Sequence, residues 1–197
     1  MEHIFRKGQE DAPTFLLLHG TGGDEKDLLP LAESLNADYN VLSVRGEISE
    51  GGMNRFFKRH GEGQYDVEDL NYRTQQLIEF IKEAAEQYDF DINNIIPVGF
   101  SNGSNIAISM MLKSDIAFKK ALLYAPLYPL EISSNHDFSA VTLLLSMGKS
   151  DPIVPVEQSE RLERIFTDLG ADVKTVWVNS HELTPAGVYF GKEVLEK

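Results

Sequence analysis

The chain has 197 residues, a formal net charge of −13 and no cysteine. The acidic balance opposes nucleic-acid binding, which needs cationic surface to neutralise phosphates, and the absence of cysteine excludes disulfides and a cysteine nucleophile. No apolar run is long enough to cross a bilayer and the first residues lack a signal-peptide pattern, so we expect a cytoplasmic protein without stable membrane insertion.

Short apolar runs alternate with longer helical patterns along the chain. The expected strands are residues 14–18, 40–44, 95–99, 121–124, 141–146 and 173–178, with a further edge strand at 4–6. The expected helices are 26–35, 68–87, 105–112 and 156–169, and a final helix that Thr184 caps and Pro185 begins. Because parallel strands need helical crossovers, this alternation predicts one α/β domain over residues 1–197. Its sheet should be mostly parallel and doubly wound, with helices on both faces.

Residues 46–66 break this alternation. The segment has no clear periodicity and contains five glycines, and loops of this length are often lids or binding loops. We therefore expect a substrate-facing insertion in which Met53, Phe56 and Phe57 contact substrate. The alternative is that the aromatic side chains form a small core beneath the loop. The segment also carries a basic cluster that either attracts an anionic substrate or stays solvated: Arg55, Lys58, Arg59 and His60.

The strongest chemical motif is Gly99-Phe100-Ser101-Asn102-Gly103, which fits G-x-S-x-G. A predicted strand enters the motif and a predicted helix leaves it, which is the setting of a nucleophile elbow. Glycines are needed there because the turn is tight and side chains would meet neighbouring backbone. Ser101 is therefore the candidate nucleophile, and the alternative is a Gly/Ser turn that matches the pattern by chance.

A serine nucleophile needs a base to accept its proton and an acid to orient that base. In enzymes with this elbow the acid and then the histidine follow the serine along the chain. His181 follows the last predicted strand, whereas His136 lies in a polar loop, so His181 is the candidate base. Asp151 follows the fifth main strand and is the candidate acid, or else a turn or N-cap residue. Asp172 precedes its strand and should lie at the opposite end of the sheet.

Two backbone amides are expected to form an oxyanion hole, those of Thr21 and Asn102. Thr21 lies in the glycine-rich residues 19–24 that follow the first long strand. This loop could also cradle a phosphate, but Glu25 stands where the third glycine of G-x-G-x-x-G belongs. The chain has no Walker motif, H-E-x-x-H motif or Cys/His cluster, so we expect no cofactor and no metal.

These motifs resemble those of the small carboxylesterase/phospholipase group of the α/β-hydrolase superfamily, which is related to acyl-protein thioesterases and dienelactone hydrolases. The matching segments are residues 18–24, 99–103, 148–154 and 180–183, and residues 45–57 are similar to bacterial hydrolases linked to hydroquinone and catechol stress. The resemblance implies a compact hydrolase without a separate lid domain, often a homodimer, with a Ser101–Asp151–His181 triad. Two features depart from the pattern: Ser180 stands where glycine usually precedes the histidine, and dienelactone hydrolases proper use a cysteine nucleophile.

The sequence thus predicts a serine carboxylesterase that cleaves small to medium acyl or aromatic esters through an acyl-enzyme. One alternative is an acyl thioesterase or lysophospholipase, which would need a deeper apolar channel. The other is a noncatalytic ligand-binding or sensor protein on a hydrolase scaffold. The candidate triad argues against it, because a binding protein does not need a base and an acid in this order.

Overall fold

A computed structural model describes residues 1–197 and contains eleven strands and five α-helices. The strands are β1 (His3–Arg6), β2 (Thr14–Leu18), β3 (Asn40–Val44), β4 (Ile48–Glu50), β5 (Met53–Arg55), β6 (Arg59–Gly61), β7 (Gln64–Tyr65), β8 (Ile95–Phe100), β9 (Lys120–Tyr124), β10 (Thr142–Gly148) and β11 (Asp172–Val178). The helices are α1 (Leu29–Asn36), α2 (Val67–Tyr88), α3 (Asn102–Lys113), α4 (Val156–Asp168) and α5 (Pro185–Glu196). No helix has the length and apolar character that a membrane span requires.

Seven strands form the central sheet in the order β1-β3-β2-β8-β9-β10-β11. The edge strand β1 runs antiparallel to β3, and all other neighbours are parallel. The predicted mostly parallel sheet and the predicted edge strand are therefore confirmed. Because the parallel strands all end at one edge, the loops that follow them meet there.

Both faces of the sheet are covered, as the apolar runs predicted. In β2, Leu16 and Leu18 point into a large core that α2, α3 and α4 complete. Phe15 and Leu17 alternate with them and pack on the other face against α1 and α5. The period of two along a strand thus divides one buried run between two cores.

Of the five α-helices only α2 and α5 have a side-chain cap at their first turn, and α1 and α3 each begin three residues from the predicted start. The Thr184 side chain accepts from the Gly187 amide and Pro185 is the first residue of α5, so that predicted start is confirmed. In contrast, α3 begins at Asn102, three residues before the predicted start. Tertiary packing of the small residues after Ser101 overrides the weak helix propensity of Gly103.

Residues 46–66 are more ordered than the sequence suggested. They form two hairpins, β4–β5 and β6–β7. Phe57 is fully buried and Phe56 is 4% exposed, and both belong to the large core. The Phe57 ring lies 4.8 Å from that of Tyr65, edge to face. The prediction that these two phenylalanines contact substrate is corrected, because their rings pack inward beneath the hairpins.

Candidate active site

Four loops bring the candidate residues to the carboxyl edge of the sheet. Ser101 directly follows β8, and Asp151 and His181 follow β10 and β11. Thr21 follows β2, the neighbour of β8 in the sheet. Residues that are up to 160 positions apart in sequence therefore meet because their strands are parallel and end together.

The turn at Ser101 has the strained backbone of a nucleophile elbow. Its φ and ψ angles are 52° and −117°, outside the regions that non-glycine residues ordinarily adopt. A Cβ on Gly103 would lie 1.9 Å from the Leu18 carbonyl oxygen, and one on Gly99 would lie 2.6 Å from the Ser104 nitrogen. The glycines of G-x-S-x-G are thus required by close approach of backbone, as the sequence indicated.

A chain of hydrogen bonds joins the three predicted side chains. The His181 Nε2 atom lies 2.8 Å from the Ser101 Oγ atom, and its Nδ1 atom lies 2.7 Å from Asp151 Oδ2. The Asp151 side chain is fully buried, and its other oxygen accepts from the amides of Ile153 and Val154 at 2.7 and 2.9 Å. Since the carboxylate can only accept from Nδ1–H, Nε2 is left as the acceptor for the serine hydroxyl.

Two backbone hydrogen bonds hold the acid and histidine loops together. The Lys149 amide donates to the Val178 carbonyl at 2.9 Å, and the Ser150 amide donates to that of Asn179 at 2.8 Å. A Cβ on Gly148 would lie 2.5 Å from the Ser180 carbonyl oxygen, so the two loops are in close contact. Ser180, which stands where the family usually has glycine, does not displace His181, whose ring still reaches both Ser101 and Asp151.

The two predicted oxyanion donors belong to the loop after β2 and to the elbow, and both residues line the same cavity. The Thr21 amide donates to no acceptor within the protein, and the Asn102 amide belongs to the first residue of α3. The Thr21 loop is fixed by β5: the Gly22 amide donates to the Asn54 carbonyl at 2.9 Å, and Asn54 Nδ2 donates to the Gly23 carbonyl at 2.8 Å. A held backbone with a free N–H is what stabilisation of an oxyanion requires.

Residues on either side of the β4–β5 hairpin also contact the elbow and the Thr21 loop, a role that the sequence did not reveal. The Phe56 amide donates to Asn102 Oδ1 at 2.7 Å. The Gly46 amide donates to His19 Nε2 at 3.0 Å, while His19 Nδ1 donates to the Gly20 carbonyl at 2.6 Å. Burial lowers the pKa of His19, so its ring is neutral and able to accept through Nε2. The segment therefore contacts both the loop that carries Thr21 and the elbow.

A cavity of 240 Å³ opens above Ser101 and His181. One part of its wall is apolar, with Phe100, Leu127 and Ile153, and another part is polar. Met53, Phe56 and Phe57 are absent from the wall, so the segment meets the cavity through other residues than we expected. These are Arg55, Arg59, Glu62, Gly63 and Tyr65.

Half of the predicted basic cluster faces this cavity. Arg55 and Arg59 line it, whereas Lys58 and His60 are exposed elsewhere. Burial, followed by the neighbouring charge of Arg59, lowers the pKa of the Arg55 guanidinium. Alternation of side chains along β5 and β6 decides which of these basic residues face the cavity and which face solvent. Strands this short show no recognisable period in the sequence, so the division could not be predicted.

The arrangement can transfer a proton from Ser101 to His181 and place an acyl group against two amides. No group of three or more His, Asp or Glu side chains is placed to hold a metal ion. The parallel sheet with helices on both faces, the strained serine elbow and the order of serine, aspartate and histidine define an α/β-hydrolase fold.

Comparison with known proteins narrows this class. The chain belongs to the Phospholipase/Carboxylesterase family, which it matches over residues 1–197. It is 43% identical to MhqD of Bacillus subtilis (strain 168) over 185 residues, which cover 93% of this chain and 92% of MhqD. The Bacillus cereus carboxylesterase structure matches with a TM-score of 0.95 and 43% identity, covering all of this chain and 93% of the other. The structure of YahD with malic acid matches with a TM-score of 0.93 and 32% identity over 99% and 98% of the two chains.

Proposed function

We propose that this hydrolase is a serine carboxylesterase in which Ser101 is the nucleophile, His181 the base and Asp151 the residue that orients the base. The observation that carries the proposal is the hydrogen-bond chain from Ser101 through His181 to the buried Asp151, with distances of 2.8 and 2.7 Å. Ser101 and His181 line a cavity of 240 Å³, and the chain belongs to the Phospholipase/Carboxylesterase family.

In the proposed reaction, Ser101 Oγ attacks the ester carbonyl carbon while His181 Nε2 accepts the hydroxyl proton. The carbonyl π bond breaks and its electron pair moves to oxygen, where the amides of Thr21 and Asn102 stabilise the negative charge. Collapse of this intermediate expels the alcohol, which takes the proton from His181, and leaves an acyl-serine. Water then attacks the acyl-serine with His181 as base, releasing the carboxylic acid and restoring Ser101.

The cavity favours a compact and partly polar substrate over a long acyl chain. Its 240 Å³ is below the usual range of about 300–1,000 Å³ for sites that hold drug-sized ligands. Arg55, Arg59 and Glu62 occupy wall positions that an acyl channel would fill with apolar side chains. The relative YahD has been solved with malic acid, a small polar molecule, which agrees with this preference. We therefore propose short acyl or aromatic esters and do not favour a lysophospholipase.

The test is hydrolysis of p-nitrophenyl acetate and butyrate by the wild type, Ser101→Ala and His181→Ala. We expect each substitution to lower kcat by about 10⁴-fold or more, since nucleophile and base act as one unit. Ser133→Ala, which changes an exposed serine away from the cavity, serves as the matched control and should retain full activity.

A fluorophosphonate probe tests the nucleophile without a choice of ester. Mass spectrometry should find the adduct on Ser101 in the wild type and no adduct in Ser101→Ala. Unchanged ester hydrolysis by Ser101→Ala would show that another group is the nucleophile. Absence of both hydrolysis and labelling would favour a noncatalytic binding protein.

A further inference from the structure

The side chain of Arg55 is a buried cation in the wall of the active-site cavity. It is 3% exposed and comes from the end of β5, directly before the buried phenylalanines. Its Nε atom donates to the Phe57 carbonyl and lies 3.1 Å from Glu50 Oε2. Its Nη1 atom donates to the Thr21 hydroxyl. The guanidinium is therefore held in one orientation by its neighbours.

One end of this guanidinium has no partner in the protein. Arg carries five N–H donors, and those on Nη2 meet no acceptor among the hydrogen bonds of the chain. Nη2 is not among the polar atoms that are both unpaired and fully buried, so it is accessible from outside the protein. Since Arg55 lines the cavity, these donors are available to a molecule bound there. A buried charge with unused donors is costly, and an acceptor supplied by a ligand would offset that cost.

The nearby carboxylates are engaged mainly by Arg59. Both oxygens of Glu50 accept from Arg59 at 3.1 Å, and Arg59 Nη1 donates to Glu62. Arg55 Nε lies 3.1 Å from Glu50 Oε2, and none of the Arg55 side-chain hydrogen bonds goes to a carboxylate. Glu62 has a side chain that is 56% exposed, so water screens its charge more than that of Arg55. The two arginines and two glutamates balance in charge, and Arg55 is the buried cation of this group that keeps donors without a protein acceptor.

We propose that Arg55 binds a carboxylate of the substrate, so that the preferred esters carry an anionic group a few bonds from the scissile carbonyl. The Thr21 contact fixes this spacing, because the same residue offers its amide to the oxyanion. A guanidinium edge matches a carboxylate in plane, and the exclusion of water around it strengthens the pair. The inference rests on the proposed esterase function and assigns the substrate class of that site.

The experiment compares two esters of similar length, mono-p-nitrophenyl glutarate and p-nitrophenyl pentanoate, with spontaneous hydrolysis subtracted. The wild type should hydrolyse the anionic ester with a kcat/KM about 10- to 100-fold higher, the range expected for a hydrogen bond to a charged group. In Arg55→Met this ratio should fall to near one. Arg55→Lys, which keeps the charge without the planar fork, should give an intermediate ratio. Lys58→Met is the matched control, because Lys58 belongs to the same segment and does not line the cavity, and its ratio should equal that of the wild type.

The possible outcomes separate the inference from the proposed function. Equal rates on the two esters in the wild type overturn carboxylate binding and leave the esterase proposal intact. Equal losses on both esters in a folded Arg55→Met would also overturn it, since Arg55 would then act only by orienting the Thr21 loop. If neither ester is hydrolysed, the fluorophosphonate label on Ser101 decides the esterase proposal, and calorimetry with glutarate tests the Arg55 site without turnover. Binding by the wild type and Ser101→Ala that Arg55→Met abolishes supports the inference, and absence of binding overturns it.

Discussion

Two regions of the molecule meet at the cavity above Ser101 and are built on different principles. The loops after β2, β8 and β11 present polar groups to the cavity, and the loop after β10 contributes Ile153 and Val154. All four loops owe their placement to the sheet. The 46–66 segment instead buries its aromatic side chains, Phe56, Phe57 and Tyr65, and of these only Tyr65 lines the cavity, beside Arg55, Arg59, Glu62 and Gly63. One region supplies the proposed chemistry, and the other packs its aromatic side chains into the large core, which holds its polar contacts in place.

The contrast shows that an aromatic cluster near an active site need not be a substrate pocket. Burying Phe57 anchors β5, and that anchor lets Asn54 and Arg55 hold the Thr21 loop. Hydrophobic packing therefore affects the proposed chemistry indirectly, because it makes rigid the hydrogen bonds that position the Thr21 loop. Substitutions in the two regions should consequently affect different quantities.

The largest expected effect is on catalysis, in Asp151→Asn. The amide can still accept from Ile153 and Val154, but its NH₂ group would face His181 Nδ1 and favour the wrong tautomer. We expect kcat for p-nitrophenyl acetate to fall by about 10⁴-fold with the free energy of unfolding little changed. Asp168→Asn, an exposed aspartate at the end of α4, is the control. A loss of less than tenfold would remove Asp151 from the proposed triad.

The second effect is on stability, in Phe57→Ala. Removing a fully buried ring from the large core should cost about 3–5 kcal/mol in the free energy of unfolding. Urea denaturation measures this, and Phe57→Leu should lose a smaller part. Relative kcat/KM values for acetate, butyrate and pentanoate esters should stay in the same order in the folded variant. A reversal of that order would show that the ring does select the acyl group.

The third substitution, Asn102→Ala, breaks a contact between the two regions. It leaves the buried Phe56 amide without its acceptor, which should cost about 1–3 kcal/mol of stability. Displacement of the elbow should also lower kcat by about 10- to 100-fold, although the Asn102 amide itself remains. Asn93→Ala, an exposed asparagine far from the cavity, should change neither quantity. Loss of stability with full activity would mean that the contact braces the fold and not the oxyanion site.

The smallest effect is expected for Met53→Ala. Met53 is 45% exposed at the start of β5 and does not line the cavity, although its side chain lies near Gly22. We expect a change in kcat/KM of less than about twofold and in stability of less than about 0.5 kcal/mol, as for other exposed positions. Steady-state kinetics with the three short esters check this. A tenfold rise in KM would restore Met53 to the substrate-contacting residues.

Most of the sheet was predictable because its strands are short, continuous apolar runs separated by helices with a clear period. The proposed nucleophile was predictable for a local reason, since only glycine fits at residues 99 and 103, where an added Cβ would lie 2.6 and 1.9 Å from neighbouring backbone. His181 and Asp151 followed from chain order and from strands that end at the same edge. The hairpins at 46–66 were missed because β4 to β7 contain only two or three residues each, too few to show alternation.

The sequence by itself thus determined the order of the strands along the chain, the strained turn at Ser101 and the residue types available for the proposed triad. Only the tertiary structure decided which side of the 46–66 segment faces the cavity. It placed Phe56 and Phe57 in the core, left Arg55 Nη2 without a protein partner, and joined Asn102 to the Phe56 amide. The physical reason is that turns and buried runs follow local rules, whereas the direction of a side chain in a short hairpin is set by the distant surface on which it packs.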